Sequence, residues 1–248
     1  MTIKYITIDG VVVGYLGSLD DHSLLIVVGR SNYKKSSSSL DSIIRDIHKQ
    51  GLSVCWFETK AIQTAKLLDE KFFNSIASKY CGNQTFIKNI LKKLAKAVIL
   101  LGQPARWAYF IKVFRYSNND QANELHDFIQ KLSSKQIYLF SHSAGGIVSS
   151  RLDQASSVSK IICFGYPFKH PEKPEEPIRT SHLKGIKKPF LIIQGDADEY
   201  GTAEDSGRYF LSPSVRVISI KSGHDYDNLA SQEYDKGSDA IAKFLSFQ

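Results

Sequence analysis

The segment Lys135–Gly146, K-Q-I-Y-L-F-S-H-S-A-G-G, determines how the rest of the chain is interpreted. Its apolar run Ile137–Phe140 is typical of a buried strand, and small residues follow that run at once. The layout predicts a strand, a tight turn with Ser143 at the bend, and then a helix. In such a turn a strained backbone holds a serine hydroxyl clear of the sheet, and only small side chains fit beside it.

The usual spacing of this motif is G-x-S-x-G, and the chain has Ser141-His142-Ser143-Ala144-Gly145. The second glycine is present, whereas a serine occupies the position of the first. A serine is small enough to be tolerated there, so the motif still predicts a nucleophile at Ser143. An ordinary Ser/Gly-rich loop between a strand and a helix is the alternative.

Two later stretches supply the partners that a serine nucleophile needs. Pro189–Asp198 is an apolar strand that ends in G-x-x-D, and Val215–His224 is a strand that runs into a loop histidine. The order Ser143, Asp198, His224 is that of the α/β-hydrolase triad, and each residue follows its own strand, where open parallel sheets place their sites. We therefore predict these three as catalytic residues. The alternative is a turn carboxylate and a surface histidine.

Asp196 competes with Asp198 for the role of the triad acid, because it lies only two residues earlier on the same turn. The G-x-x-D spacing favours Asp198, since it carries this residue past the end of the strand. The two oxyanion-hole amides are predicted at Ala144, directly after the nucleophile, and at Arg30, in the loop after the strand Leu24–Val28. A flexible polar connection is the other interpretation of that loop.

Five residues near these positions are predicted to contact the substrate. His142 could line the pocket, or it could pack through a hydrogen bond. Arg179 and His182 could bind an anionic group, although ion pairing within their Pro- and Glu-rich loop is the more common fate of such side chains. The five candidates are Gly29, Ser31, His142, Arg179 and His182.

The composition is that of an ordinary globular protein. Of the 248 residues, 42% are hydrophobic and 23% are charged, so a sizeable core is expected. No stretch has the roughly eighteen uninterrupted apolar residues of a spanning helix, and the N-terminus lacks a signal-peptide layout, which together predict a cytoplasmic protein. The three cysteines are scattered, and neither C-x-x-C nor H-E-x-x-H occurs, so no disulfide, metal or cofactor is predicted.

The order of the predicted elements indicates an α/β fold in a single domain, residues 1–248. An antiparallel hairpin about Asp9-Gly10 opens the chain, and short βα units then build a mostly parallel sheet with helices on both faces. Thr202–Leu211 and Tyr234–Phe247 are predicted as the last two helices. Residues 60–118 interrupt the alternation as a helical insertion before the turn at Ser143.

The insertion holds all of the excess positive charge of the chain. The net charge is +7, and the segment Asn83–Asn119 contains seven Lys or Arg residues and no Asp or Glu. Its predicted helix has an apolar face, and the opposite face carries Lys88, Lys92, Lys93 and Lys96. We expect this helix to pack as a cap over the site. Peripheral contact of residues 86–116 with an anionic membrane surface is the alternative.

The segment Phe164–Leu183, F-G-Y-P-F-K-H-P-E-K-P-E-E-P-I-R-T-S-H-L, carries a family resemblance. It is similar to the G-Y-P…K-P-E…R…H-L run of a group of small α/β-hydrolases related to the dienelactone-hydrolase-like enzymes. The residues that extend the resemblance are Pro189, Gln194-Gly195, Asp198 and Gly201-Thr202, and it covers the region near Gly29 and the chain from Gln136 onward.

This resemblance implies the α/β-hydrolase fold, with a nucleophile at Ser143, an acid at Asp198 and a base at His224. Most members of the group have no assigned substrate. The expected activity is therefore that of a serine hydrolase that cleaves a carboxylic ester or thioester through an acyl-enzyme. Its expected partner is a small-molecule substrate, and nucleic acid is not expected.

A second hypothesis comes from a different class of function. The chain could be a binding or scaffold protein on a hydrolase fold, with little or no turnover, that docks through the basic insertion. The fold alone does not decide between the two hypotheses.

Overall fold

A computed structural model of the protein describes residues 2–29, 37–73, 94, 97–98, 101–102 and 118–245. The chain divides into two compact units. The first comprises Met1–Ile6, Val13–Phe57 and Asn118–Gln248, and the second comprises Thr7–Val12 and Glu58–Ser117. Within the described ranges, no helix is both long and apolar enough to cross a membrane.

The described strands and helices alternate along most of the chain. The strands are β1 (Lys4–Ile8), β2 (Val11–Leu16), β3 (Ser23–Val28), β4 (Ser53–Phe57), β5 (Gln136–His142), β6 (Val158–Phe164), β7 (Phe190–Gly195) and β8 (Val215–Ile220). The helices are α1 (Ser38–Lys49), α2 (Lys60–Phe73), α3 (Asn118–Ile129), α4 (Ala144–Ser150), α5 (Pro177–Thr180) and α6 (Ser231–Leu245).

The strands form one sheet in the order β1-β2-β4-β3-β5-β6-β7-β8. β2 pairs with β4 in the antiparallel sense, and the pairs from β4 to β8 are all parallel. The opening hairpin turns at Asp9 and Gly10, whose φ angles of 52° and 77° suit a tight two-residue turn. The mixed sheet with an N-terminal hairpin that the sequence predicts is therefore confirmed.

One face of the sheet packs against α1 and α6. The apolar side of α1, which includes Ile43 and Ile47, meets alternate residues of the central strands, such as Tyr138 and Phe140 of β5. The hydroxyl of Ser37 accepts a hydrogen bond from the Leu40 amide at 3.3 Å and caps the start of α1. This core fixes the strands whose carboxyl ends carry the site.

The other face of the sheet is covered by α3 and α4. Ile137 and Leu139 alternate with the residues of the first core and are fully buried. The Phe57 and Phe128 rings, at the end of β4 and on α3, pack with their centroids 5.0 Å apart. Helix α4 lies on β5 and β6 and contacts α3. Helices on both faces bury most residues of the central parallel strands β5, β6 and β7, as such strands require.

The loop after β8 is tied to the start of α1. The Ser37 hydroxyl donates to the Tyr226 carbonyl oxygen at 2.6 Å, and a carboxylate oxygen of Asp227 accepts from the Ser38 amide at 3.0 Å. At the other end of the loop, the Lys221 amide donates to Glu233 of α6 at 2.8 Å. These bonds fix a loop that the sequence identifies only by its histidine.

The predicted helix at Thr202–Leu211 is wrong. Only Asp205–Arg208 forms a helical turn, of the 3₁₀ type. The chain leaves the turn at Tyr209, which is extended with φ of −109° and ψ of 145° and whose ring stacks on Phe168 at a centroid distance of 5.5 Å. This tertiary contact outweighs the local pattern, and Gly207 inside the segment further weakens its helical propensity.

The second unit is described only in part. Within it, Gln63 of α2 bonds to both backbone groups of Val12, donating to the carbonyl oxygen at 2.7 Å and accepting from the amide at 3.0 Å. Three residues of the predicted apolar face, Leu94, Val98 and Leu101, are 57%, 68% and 67% exposed. The four lysines of the predicted basic face lie outside the described residues, and the cap and membrane interpretations of this segment stay predictions.

Gly195 at the end of β7 provides a test of the close approach between two loops. A Cβ on Gly195 would lie 2.2 Å from the backbone oxygen of Ser222, which cannot move away as a flexible side chain can. We expect Gly195→Ala to lower the free energy of unfolding by about 1–3 kcal/mol, measured by urea denaturation. Gly185→Ala is the matched control, because nothing lies within 4 Å of its added Cβ. Equal denaturation midpoints for the two variants would contradict the expected clash.

Candidate active site

Ser143 occupies the bend between β5 and α4 in a strained conformation. Its φ is 56° and its ψ is −127°, a region that residues with a side chain seldom adopt. The Ser143 amide donates to the Phe164 carbonyl oxygen at 3.0 Å, and its carbonyl oxygen accepts from the Gly146 amide at 2.8 Å. The turn is thus held from both sides, which fixes the direction of the Ser143 hydroxyl.

The residues around this turn have little space for larger side chains. A Cβ on Gly146 would lie 2.4 Å from the Cys163 sulfur, and one on Gly145 would lie 3.2 Å from the Val28 carbonyl oxygen. Ser141, which stands where the motif usually has glycine, is fully buried and donates its hydroxyl to the Ile162 carbonyl oxygen at 2.9 Å. The serine is therefore accommodated because its hydroxyl has a hydrogen-bond acceptor on β6.

A chain of hydrogen bonds joins Ser143, His224 and Asp198. The Ser143 hydroxyl lies 2.7 Å from Nε2 of His224, and Nδ1 of His224 lies 2.9 Å from each carboxylate oxygen of Asp198. Because a carboxylate only accepts, Nδ1 carries the proton, and Nε2 is left to accept from the serine hydroxyl. Asp198 is 2% exposed and His224 is 6% exposed, so the hydrogen bonds between these two side chains are shielded from water.

Neutral donors hold the buried carboxylate of Asp198. Nε2 of Gln194 donates to one carboxylate oxygen at 3.0 Å, and the Tyr200 amide donates to the other at 2.8 Å. The Tyr226 hydroxyl lies 3.4 Å from the first oxygen. A charge removed from water needs such partners, which here leave the carboxylate directed at the imidazole.

Asp196, the rival candidate, faces a different partner. Its side chain is exposed, and one carboxylate oxygen accepts from the Ser222 amide at 3.1 Å. This bond joins the loops after β7 and β8 away from the imidazole. The geometry therefore gives Asp196 a structural contact and gives Asp198 the contact with His224.

Gly165 and Gln194 are two residues of this region for which the sequence pattern predicts no role in the site. Gly165, at the end of β6, has a φ of 58°, and a Cβ there would lie 3.1 Å from Asp198 and 3.2 Å from His224. Any larger residue would therefore press on both groups. The signal for Gln194 was available in the sequence, as the one amide side chain in the otherwise apolar run of β7.

The predicted oxyanion-hole residues are described only in part. Ala144 is the first residue of α4, so its amide is among those that find no acceptor inside a helix. The Gly29 carbonyl oxygen lies 3.5 Å from the position of a Cβ on Gly145, which brings the end of β3 close to this helix. Arg30 and Ser31 lie outside the described residues, and their roles stay predictions.

The other predicted substrate contacts are engaged within the protein. His142 donates from Nε2 to the His224 carbonyl oxygen at 2.7 Å. Arg179 forms an ion pair with Glu176 at 2.6 Å, the alternative that its Pro- and Glu-rich loop suggested. His182 contacts the Ser150 hydroxyl at 2.8 Å. Substrate binding by these three residues stays a prediction.

Ser150 and His182 form a second Ser–His contact, but it lacks the features of the first. Ser150 is fully buried on α4, and its hydroxyl donates to the Ile147 carbonyl oxygen at 3.0 Å. Nδ1 of His182 is buried and has no hydrogen-bond partner among the described residues, so no carboxylate orients this ring. The pair lines a cleft of about 350 Å³ beside Arg151 and Asp153. A buried hydroxyl next to an unoriented imidazole is poorly suited to attack a substrate.

In the described part of the chain, no group of three or more His, Cys, Asp or Glu side chains is arranged to hold a metal ion. Cys55 and Cys163 are buried free thiols. Burial raises the pKa of Cys163 to about 12, so this thiol remains protonated beneath the turn.

Comparison with known proteins places this architecture in a family. The model of the alpha/beta hydrolase domain family matches residues 116–245, just over half of the chain. No curated protein matches the sequence. This family model does not identify the narrower dienelactone-hydrolase-like group, so membership of that group stays a prediction.

Solved structures of similar fold cover nearly the whole chain. A membrane phospholipase A described as a bacterial virulence factor has a TM-score of 0.58 at 12% identity, over 99% of this chain and 86% of that one. A thioesterase domain from the curacin biosynthetic pathway has a TM-score of 0.56 at 12% identity, over 100% and 99% of the two chains. An esterase from Pyrococcus furiosus has a TM-score of 0.52 at 16% identity, over 99% and 92%. At these identities the likeness extends to the fold alone.

The environment of His182 predicts a pH dependence of stability. Burial, aided by the nearby Arg151 charge, lowers the pKa of His182 to about 4. Unfolding returns the ring to an ordinary pKa of about 6.5, so between these values the unfolded chain binds a proton that the folded chain excludes. The stability that depends on this neutral ring is complete above about pH 6.5 and is lost as the pH falls towards 4.

Between pH 7 and pH 4 we expect the free energy of unfolding to fall by about 1–2 kcal/mol less in His182→Gln than in the unmodified protein. This figure allows for the partial exposure of the ring. The measurement is the free energy of unfolding in urea at several pH values between 7 and 4. His22→Gln, at an exposed histidine, is the control and should keep the pH dependence of the unmodified protein. Parallel curves for His182→Gln and the unmodified protein would contradict this account.

Proposed function

Because this chain belongs to the alpha/beta hydrolase domain family, we propose that it is a serine hydrolase that cleaves a carboxylic ester or thioester. The observation that carries the proposal is the chain of hydrogen bonds from the Ser143 hydroxyl through His224 to Asp198, with distances of 2.7 Å and 2.9 Å. These three residues supply the nucleophile, the base and the orienting acid that acyl transfer requires.

In the first half of the proposed reaction, the Ser143 oxygen attacks the substrate carbonyl carbon. His224 takes the hydroxyl proton at Nε2, because its other nitrogen is already bonded to Asp198. The carboxylate keeps the imidazole in this tautomer and stabilises the positive charge that the ring acquires. The Ala144 amide at the start of α4 donates to the negative carbonyl oxygen, and the loop that begins at Arg30 is the proposed source of the second donor.

The first half ends when the first tetrahedral intermediate collapses, so that the leaving group departs with the proton of His224 and Ser143 holds the acyl group. In the second half, water enters, gives a proton to the same imidazole nitrogen and attacks the acyl carbon. Collapse of the second tetrahedral intermediate restores the serine hydroxyl and releases the carboxylic acid. One base at one position serves both halves, which is why a single histidine next to Ser143 is sufficient.

Labelling by a fluorophosphonate tests the nucleophile directly. We expect the unmodified protein to be labelled, and Ser143→Ala to abolish labelling and to lower ester turnover by on the order of 10³-fold or more. Ser150→Ala is the matched control, because Ser150 also lies beside a histidine, and it should be labelled like the unmodified protein. Ser141→Gly, which restores the usual motif, should remain active.

The labelling result also decides between the two hypotheses of function. Label on Ser150, or undiminished labelling of Ser143→Ala, would mean that the nucleophile is assigned wrongly. An unlabelled but folded wild-type protein would favour the binding or scaffold protein.

A pair of carboxylate variants tests the acid. Asp198→Asn is expected to lower turnover by about 10⁴-fold, because the amide holds the imidazole in the wrong tautomer. Asp196→Asn should cost far less, since its carboxylate bonds to the Ser222 amide and not to His224. The measurement is kcat for one ester substrate with both folded variants, and a larger loss for Asp196→Asn would overturn the assignment.

A further inference from the structure

Tyr200 contacts both Asp198, the proposed acid, and His224, the proposed base. Its backbone amide donates to Asp198 at 2.8 Å, as described above. Its ring lies over the imidazole of His224, with the ring centroids 4.3 Å apart and the planes tilted by 37°. The first contact belongs to the backbone and the second to the side chain, so a substitution at this position changes the second contact and preserves the first.

Tyr200 is itself held by residues of the loop after β6. Its carbonyl oxygen accepts from the Lys169 amide at 2.9 Å, and the His170 ring meets the Tyr200 ring edge-on at 5.9 Å. The Lys169 ammonium pairs with Asp205 at 2.8 Å, which ties the two loops together. The ring therefore has a fixed place over the imidazole.

An aromatic face attracts a cation within about 6 Å of its centroid, most strongly where water is excluded. The imidazole of His224 is a cation only after it has taken a proton, which in the proposed reaction happens as Ser143 attacks. A ring at 4.3 Å on this buried imidazole would therefore stabilise the protonated state more than the neutral one.

We propose that Tyr200 is a positioning residue whose ring stabilises the protonated imidazole of His224 and keeps it aligned with Ser143. The catalytic benefit rests on the function proposed above, whereas the effect on the imidazole does not. Other groups also act on this ring and remain in place when Tyr200 is changed. Among the residues that the structure describes, the titratable or polar groups that face the imidazole are Asp198 and Tyr200 from the turn after β7, His142 and Ser143 from the end of β5, and Tyr226 from its own loop.

The test measures the pKa of His224 directly, by NMR of the histidine ring in the full-length protein. We expect Tyr200→Leu to lower this pKa by about 0.5–1.5 units, because the protonated imidazole loses the stabilisation that the aromatic ring provides. Tyr200→Phe, which keeps the ring and lacks the hydroxyl, should leave it within about 0.3 units of the unmodified value. An unchanged pKa in a folded Tyr200→Leu protein would overturn the proposal.

Fluorinated phenylalanines at position 200 keep the proposal testable if the leucine variant does not fold. They preserve the shape of the ring and progressively remove the negative charge of its face, so the pKa of His224 should fall stepwise with fluorine number. A flat series would assign Tyr200 a packing role only and would overturn the proposal.

Kinetics then separate an effect on the base from a contact with the substrate. In Tyr200→Leu we expect kcat to fall by about 3–30-fold with KM nearly unchanged, and the acid limb of the kcat/KM profile to move to lower pH. A rise in KM with kcat unchanged would make the ring a substrate contact and overturn the inference. Because the NMR titration needs no turnover, an inactive protein with a shifted His224 pKa would refute the proposed function and leave the effect of the ring intact.

Discussion

The backbone of Ser143 is held in a conformation that it would not adopt alone, and the site depends on this constraint. A non-glycine residue at positive φ costs on the order of 1–3 kcal/mol, which the surrounding structure has to offset. Here the offset comes from hydrogen bonds to Phe164 and Gly146 and from the burial of β5 between β3 and β6. The sheet therefore sets the direction of the hydroxyl, and the strain is affordable only in a well-packed core.

The parallel sheet also explains how residues far apart in sequence meet. β5, β7 and β8 run in the same direction, so their carboxyl ends lie at one edge of the sheet. Each end supplies one of the three groups, and the intervening strand β6 supplies Gly165, where any side chain would enter the same space. The dense packing brings neutral hydrogen-bond donors to the buried carboxylate of Asp198. These donors take the place of the water that the carboxylate has lost.

How much of this could be predicted from the sequence differs from one feature to another. The strands were predictable because their apolar runs are short, clear and bounded by small or polar residues. Ser143, Asp198 and His224 could be chosen by their order and by their positions after strands. The roles of Ser141 and Gly165 could not, because the first depends on an acceptor on a neighbouring strand and the second on packing around a backbone angle.

The predicted helix at Thr202–Leu211 failed for a related reason. Its local pattern is helical, but the stacking of Tyr209 on Phe168 requires an extended backbone, and the sequence does not show which distant ring will be close. The ring contact of Tyr200 is not visible in the sequence for the same reason. It lies only two residues from the chosen acid, yet its significance depends on which ring it covers.

The position of β8 has a consequence for how the site is lost on heating. β8 is the last strand of the sheet order, it pairs with β7 alone among the described strands, and five of its six residues are partly buried or exposed. Strands of this kind open at a lower free-energy cost than the central ones, and amide hydrogen exchange detects such opening. Since His224 follows β8 directly, a fraying that leaves the central strands intact would already separate the imidazole from Ser143. If β8 opens before the central strands and the bonds that hold its loop break with it, the assembled site is lost before the protein as a whole melts.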